Sequence, residues 1–338
     1  MRFKFVDRIL SFEPRKSMTG IKNVTRGEPF FYLLPNGVRF LSPAIVAEAT
    51  MQMGSWLIQA STDFKFRPVL LADECTTFSE RLIQAGDQIK IEVSIDHWDD
   101  EIVHISGTCY VNDKIVLRSD CCRAYLLPLG DFQDPVLVKQ EFATLYQKDR
   151  KVTEPITDFS SLKTDRSALG APCKLEFVDE LISHTPGSEV SLTRPFSLQD
   201  GFFSTHFSRR GVVPGVLMLS CLGEAAQILE WDDVGKRVQR NFLYPLALMN
   251  IKFRRFIEPG DQAIINVKKT YDGPGVSEPS MADDQRIRIV KIKGQIKVGT
   301  AVAMVGEIAF VPISAPDLCF GVGVPQNKAQ EINVGLRV

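Results

Sequence analysis

FFSTHFSRRGVVPGVLMLSCLGEAAQ, residues 202–227, is the stretch on which the reading of this chain turns. A single histidine, His206, stands in an apolar run punctuated by glycine. Pro214 and Gly215 then open an apolar segment whose only breaker before Trp231 is Gly223. This order predicts a loop carrying a titratable side chain, followed by a buried helix over 214–231. The start of such a helix presents unpaired backbone N–H groups and a partial positive charge. A base beside an oxyanion-stabilising helix end is a catalytic arrangement. A histidine packed in the core ahead of a core helix has the same local sequence, so both readings stay open on this stretch alone.

Outward from it, the chain repeats itself. Phe202-Phe203 echoes Phe30-Phe31, Phe177-Val178-Asp179 echoes Phe5-Val6-Asp7, and Pro186 echoes Pro14, all at an offset of 172. Gly260-Asp261-Gln262 echoes Gly86-Asp87-Gln88 at an offset of 174. The repeat predicts two copies of one domain, 1–133 and 173–313, with a connecting segment over 134–172 and a tail over 314–338. Each copy holds one long apolar helix, over 43–58 and 214–231. β-branched, alternating stretches follow it, over 89–98, 102–111 and 114–129 in the first copy. The second copy has them over 249–259, 262–272, 287–298 and 303–313. Strands run around a single long helix imply an α+β domain with an antiparallel sheet wrapped on that helix. A short helix is expected over 136–147, and a loop over 273–284.

Composition excludes several function classes. The 338 residues are 44% hydrophobic and carry a formal net charge of −1, so no global field favours nucleic acid or an anionic membrane. The N-terminus, MRFKFVDRIL, spreads its charges and has no long apolar core, which predicts neither a leader nor a membrane span. Seven cysteines, none in a CxxC pair, imply a reduced, cytoplasmic protein with free thiols. His97 with Asp96 and Asp99 is too weak a cluster to imply a metal, and no metal or phosphate-loop signature is present. His97, His104 and His184 are read as surface or packing residues.

Taken together, these motifs resemble the 3-hydroxyacyl-[acyl-carrier-protein] dehydratases, a hot-dog fold family. The second copy carries the resemblance at His206-Phe207, Val213-Pro214-Gly215-Val216-Leu217, Ala225-Ala226-Gln227, Lys252-Phe253-Arg254-Arg255 and Pro259-Gly260-Asp261-Gln262. The first copy carries it at FVDRIL, Gly20 to Thr25, Glu28-Pro29-Phe30-Phe31, Glu48-Ala49 and Gln52. In that family a histidine is followed fourteen residues later by an acid. Here Ser220 stands fourteen residues after His206, and Leu34 fourteen before Glu48. The family pairs two hot-dog domains and draws each site from both. The resemblance therefore implies one composite site of His206 and Glu48, and one abolished site of Leu34 and Ser220.

The resemblance further implies a double hot-dog chain, paired as a pseudo-dimer, that dehydrates a 3-hydroxyacyl thioester to the trans-2-enoyl thioester. His206 acts as base, Glu48 as acid, and the Gly215 N–H as oxyanion donor. Val216, Phe203, Phe207, Arg209 and Arg210 are expected at the substrate. Arg209, Arg210, Lys252, Arg254 and Arg255 form a basic rim for phosphopantetheine phosphate or an acidic carrier protein, or else a solvated face. Glu224, one turn past Ser220, is a rival acid. No cofactor is implied beyond the phosphopantetheine that carries the substrate. The partner is acyl carrier protein or a CoA thioester, and the assembly a monomeric pseudo-dimer or a higher homo-oligomer. A thioester hydrolase of the same fold and a non-catalytic acyl-binding scaffold are the alternatives.

Overall fold

The structure is a computed structural model that describes residues 3–33, 38–99, 101–146, 177–233, 238–239, 241–275 and 288–314. Twelve strands form one antiparallel sheet. The first six are β1 (Arg8–Glu13), β2 (Ser17–Asn23), β3 (Phe66–Phe78), β4 (Gln88–Trp98), β5 (Ile102–Val111) and β6 (Lys114–Pro128). The second six are β7 (Glu180–Thr185), β8 (Glu189–Pro195), β9 (Asn241–Phe253), β10 (Gln262–Pro274), β11 (Arg288–Val298) and β12 (Ala301–Ser314). Their spatial order is β1-β2-β4-β5-β6-β3-β9-β12-β11-β10-β8-β7. Each strand of the first six has its counterpart six places later, so the order reads the same from both edges. The centre is the β3–β9 pair, where Ile251 faces Asp73 and Leu248 faces Thr76.

Three α-helices lie among the described residues: α1 (Pro43–Ser61), α2 (Pro135–Leu145) and α3 (Gly215–Leu229). The apolar faces of α1 and α3 enter one core cluster with the inward residues of the sheet, among them Met53, Leu57, Leu222, Ile91 and Ile292. Each such side chain removed from water contributes roughly 1.5–3 kcal/mol. Both long helices sit close on their strands because glycine lies beneath them. A Cβ at Gly107 on β5 would collide with the Thr50 methyl of α1, and one at Gly294 on β11 would lie 2.7 Å from Leu222 of α3. No helix among the described residues is long and apolar enough to cross a membrane.

Several sequence expectations are adjusted. α1 runs one turn beyond the expected residue 58, to Ser61. α3 starts at Gly215, with Pro214 as its cap, and stops at Leu229, before Trp231 enters a short strand. β9 begins at Asn241 rather than near 249. The sequence reading assigns no strand to 66–78, because Pro68, Asp73 and Glu74 interrupt the apolar alternation. That segment is nevertheless the 13-residue β3, held between β6 and β9, with Leu71 bulged out of register against β6. The short helix is present as α2, started by Asp134, whose carboxylate accepts from the Val136 N–H. Pro274, expected in a loop, ends β10. The rest of that loop from 276, most of the connecting segment, the tail from 315 and Leu34 lie outside the described residues.

Candidate active site

His206 sits in a turn-rich segment just ahead of α3. Its N–H donates to the Phe202 carbonyl at 2.8 Å, and its carbonyl accepts from Val212 at 2.9 Å. The ring Nδ1 lies 3.0 Å from the Val212 carbonyl oxygen. A carbonyl can only accept, so Nδ1 carries the proton and the neutral ring keeps its lone pair on Nε2. Burial, with the charge of Arg67 adding to it, pulls the imidazole pKa down to about 3. The ring is therefore uncharged throughout the neutral range. It stacks on Phe207 with centroids 4.0 Å apart.

Glu48 projects from the second turn of α1. Burial raises its pKa to about 7, against the opposing pull of a hydrogen bond from Gln52 and of the Arg67 charge. Gln52, one turn on, fixes it: Nε2 donates to Glu48 Oε1 at 2.9 Å and to the Phe3 carbonyl at 3.2 Å, while Oε1 accepts from the Phe5 N–H at 2.9 Å. The Phe3 N–H in turn donates to Thr205 Oγ1 at 3.2 Å, next to His206. Residues 3–5 thus tie the helix that carries the acid to the loop that carries the histidine.

Glu48, His206, Phe207, Arg210, Gly215 and Val216 line one cavity of about 620 Å³. The end of α3 there has no side-chain cap and no acid in its first turn, so its leading N–H groups are open to an anionic oxygen. A Cβ at position 215 would lie 2.9 Å from the tip of the Phe253 ring, so a larger residue there would have to displace that ring. The surroundings of Ser220, further along α3, are different. Ser220 donates to the Val216 carbonyl at 3.0 Å, and the cavity beside it holds only about 40 Å³. Glu224 accepts from the Phe177 N–H and is absent from the lining of the larger cavity.

Two expected substrate residues are elsewhere. Phe203 is buried against Phe202 at a centroid distance of 4.5 Å, because core packing claims a large ring on that side of the turn. Arg209 does not line the cavity: it donates to the Gly130 carbonyl at 2.8 Å and pairs with Asp134 at 3.3 Å, tying its loop to the start of α2. Of the expected rim, Arg210, Arg254 and Arg255 line the mouth, while Lys252 does not. Arg210 is paired with Glu258 at 2.8 Å.

Sequence reasoning missed Arg67. It enters from β3, lines the cavity, and lies with its guanidinium carbon 3.5 Å from the centre of the Phe207 ring. Burial draws its pKa down to about 9, which leaves it charged at neutrality, beside both Glu48 and His206. Its only sequence signal was an arginine in a stretch with no strand pattern. Among the described residues no group of three or more His, Cys, Asp or Glu is placed to hold a metal ion.

Comparison with known proteins bears on this arrangement. The model of the FabA-like domain matches residues 170–305. The 3-hydroxyacyl-[acyl-carrier-protein] dehydratase FabZ of Paracidovorax citrulli is 32% identical over 132 residues, which span 39% of this chain and 82% of the relative. The chain belongs to the FabZ dehydratase family. The FabZ of Blochmanniella floridana is 31% identical over 124 residues, 36% of this chain and 82% of that relative. Among solved structures, a putative oleoyl thioesterase from Lactobacillus plantarum is similar with a TM-score of 0.48 and 8% identity, covering 88% of this chain and 95% of that one. The 12:0-ACP thioesterase from Umbellularia californica is similar with a TM-score of 0.46 and 11% identity, covering 88% and 94%.

Proposed function

We propose that this FabZ-family chain dehydrates a 3-hydroxyacyl thioester to the trans-2-enoyl thioester, at one composite site per chain. On this reading residues 1–133 and 173–313 are two hot-dog units paired as a pseudo-dimer, joined by 134–172. The mirrored strand order supports the pairing. The observation that carries the reading is the cavity shared by Glu48 from α1 and His206 from the loop before α3.

The chemistry follows from their states. The thioester carbonyl accepts from the Gly215 N–H, with Val216 N–H beside it, so negative charge gathering on that oxygen meets the end of α3. His206 Nε2 takes the proton from the α-carbon. The electron pair of that C–H bond becomes the Cα–Cβ double bond as the Cβ–O bond breaks. Glu48, whose raised pKa of about 7 keeps a large fraction of it protonated near neutrality, gives its proton to the departing hydroxyl, which leaves as water. A hydrolase reading would instead need Glu48 as an ionised base, against the direction in which burial drives it. Arg254, beside Arg210 and Arg255 that pair with Glu258 and Asp261, suits the phosphate of a phosphopantetheine arm, whether on acyl carrier protein or CoA.

The test is turnover of a 3-hydroxyacyl carrier substrate by wild type, His206→Ala and Glu48→Gln. Each substitution is expected to lower kcat by at least about a hundredfold, the usual worth of a positioned acid or base. Undiminished dehydration by His206→Ala would overturn the mechanism.

A further inference from the structure

We propose that the acyl chamber contains a polar subsite, built by Asp73, Thr76 and Ser119, that selects acyl chains carrying a hydroxyl group far from the reacting carbons. The inference rests on reading the cavity as an acyl chamber. All three residues line the same cavity as Glu48 and His206, as do the apolar side chains of Met218, Leu219, Leu248 and Ile251. Plain alkyl chains need only an apolar wall. A carboxylate buried in such a wall is costly unless something hydrogen-bonds to it.

The three residues are 7%, 1% and 1% exposed. Thr76 Oγ1 donates to Asp73 Oδ2 at 2.6 Å and lies 2.9 Å from Ser119 Oγ, which lies 3.1 Å from Cys122 Sγ. The Cys75 N–H and the Cys122 thiol also face the carboxyl group and favour its charged form. Burial outweighs them and raises its pKa to about 6, so it is mostly ionised at neutrality. Asp73 Oδ1, however, has no hydrogen-bond partner among the described residues. It is an almost wholly buried acceptor, on a residue that lines the chamber. A hydroxyl fits both features: its proton goes to Asp73 Oδ1, and its oxygen accepts from the neighbouring Ser119 or Thr76 hydroxyl.

Position defines which hydroxyl. Asp73 follows Arg67, the charge beside Glu48 and His206, by six residues on β3. At about 3.3 Å per residue that is roughly 20 Å along the strand. The selected hydroxyl therefore lies in the distal part of a long chain, well beyond the 3-hydroxyl that is eliminated. A site built to hydrogen-bond a hydroxyl also rejects the analogue without it, because its own polar atoms are then left buried and unpaired.

The test is calorimetric titration of the full chain with thioether analogues of a long-chain acyl phosphopantetheine, which neither hydrolyse nor eliminate. One analogue is plain, and the others carry a single hydroxyl at successive carbons of the distal half. At one position the hydroxyl is expected to tighten binding at least about tenfold, the worth of a buried hydrogen bond. Asp73→Leu should abolish or reverse that preference, Asp73→Asn should keep part of it, and Thr76→Val should weaken it while leaving the carboxylate in place. Equal binding of plain and hydroxylated chains by wild type, or a preference that survives in Asp73→Leu, overturns the subsite. Turnover of the matching 3-hydroxyacyl thioesters separates the two proposals. A hydroxyl preference in binding with no dehydration of any substrate would leave the subsite standing and sink the dehydratase reading. Brisk dehydration with no preference would do the reverse.

Discussion

Glu48 and His206 are driven by one cause toward the two uncharged states that elimination needs. Burial disfavours charge on both, lifting the carboxyl to about 7 and dropping the imidazole to about 3. Dehydration needs Glu48 protonated, so kcat/KM should fall as pH rises through about 7. It should stay level on the acid side until His206 begins to protonate near 3, or until the chain unfolds. Arg67 opposes the rise at Glu48. Replacing it as Arg67→Met should therefore move the basic limb to higher pH, by roughly one unit if one close charge is removed. A pH–rate profile of the two proteins checks this, and an unmoved limb would refute the role of Arg67. His206, Glu48 and Gly215 were legible in the sequence because each stands in a recognisable local motif. Arg67 and Asp73 were not, because no local pattern announces a strand around them, and their roles come only from neighbours distant in sequence.

At the level of elements, each long helix is docked by a glycine on the strand beneath it. Gly107 gives Thr50 of α1 its room, and Gly294 does the same for Leu222 of α3. Gly107→Ala should force the Thr50 methyl aside and destabilise the protein by about 1–3 kcal/mol, the range for overpacking a filled core. Denaturant unfolding measures this, and unchanged stability would show that the helix gives way freely. The long helices and the β-branched strands were readable because apolar periodicity survives in them. β3 was hidden because Pro68 and Asp73, which line the cavity, and the exposed Glu74, which pairs with Arg123, interrupt its apolar alternation, so side-chain use overrides strand propensity.

For the whole molecule, the proposed pairing of two units leaves one chamber open and its mirror counterpart nearly filled. The cavities hold about 620 and 40 Å³. A non-reactive 3-hydroxyacyl analogue should therefore bind with a stoichiometry of one per chain in calorimetry, and a value of two would contradict a single site. Ser220→Ala should leave turnover within about twofold, since Ser220 spends its hydroxyl on the Val216 carbonyl. The sequence by itself determined the repeat, the two long helices and most of the strands, because these are written in local periodicity, and its short motifs put forward the residues a dehydratase site would draw on. Only the tertiary structure decided that Glu48 and His206 open on the same cavity, that Phe203 and Arg209 turn away from it, and that Arg67 and Asp73 line it. Those outcomes depend on which strands meet at the centre of the sheet, a long-range pairing that no local stretch encodes.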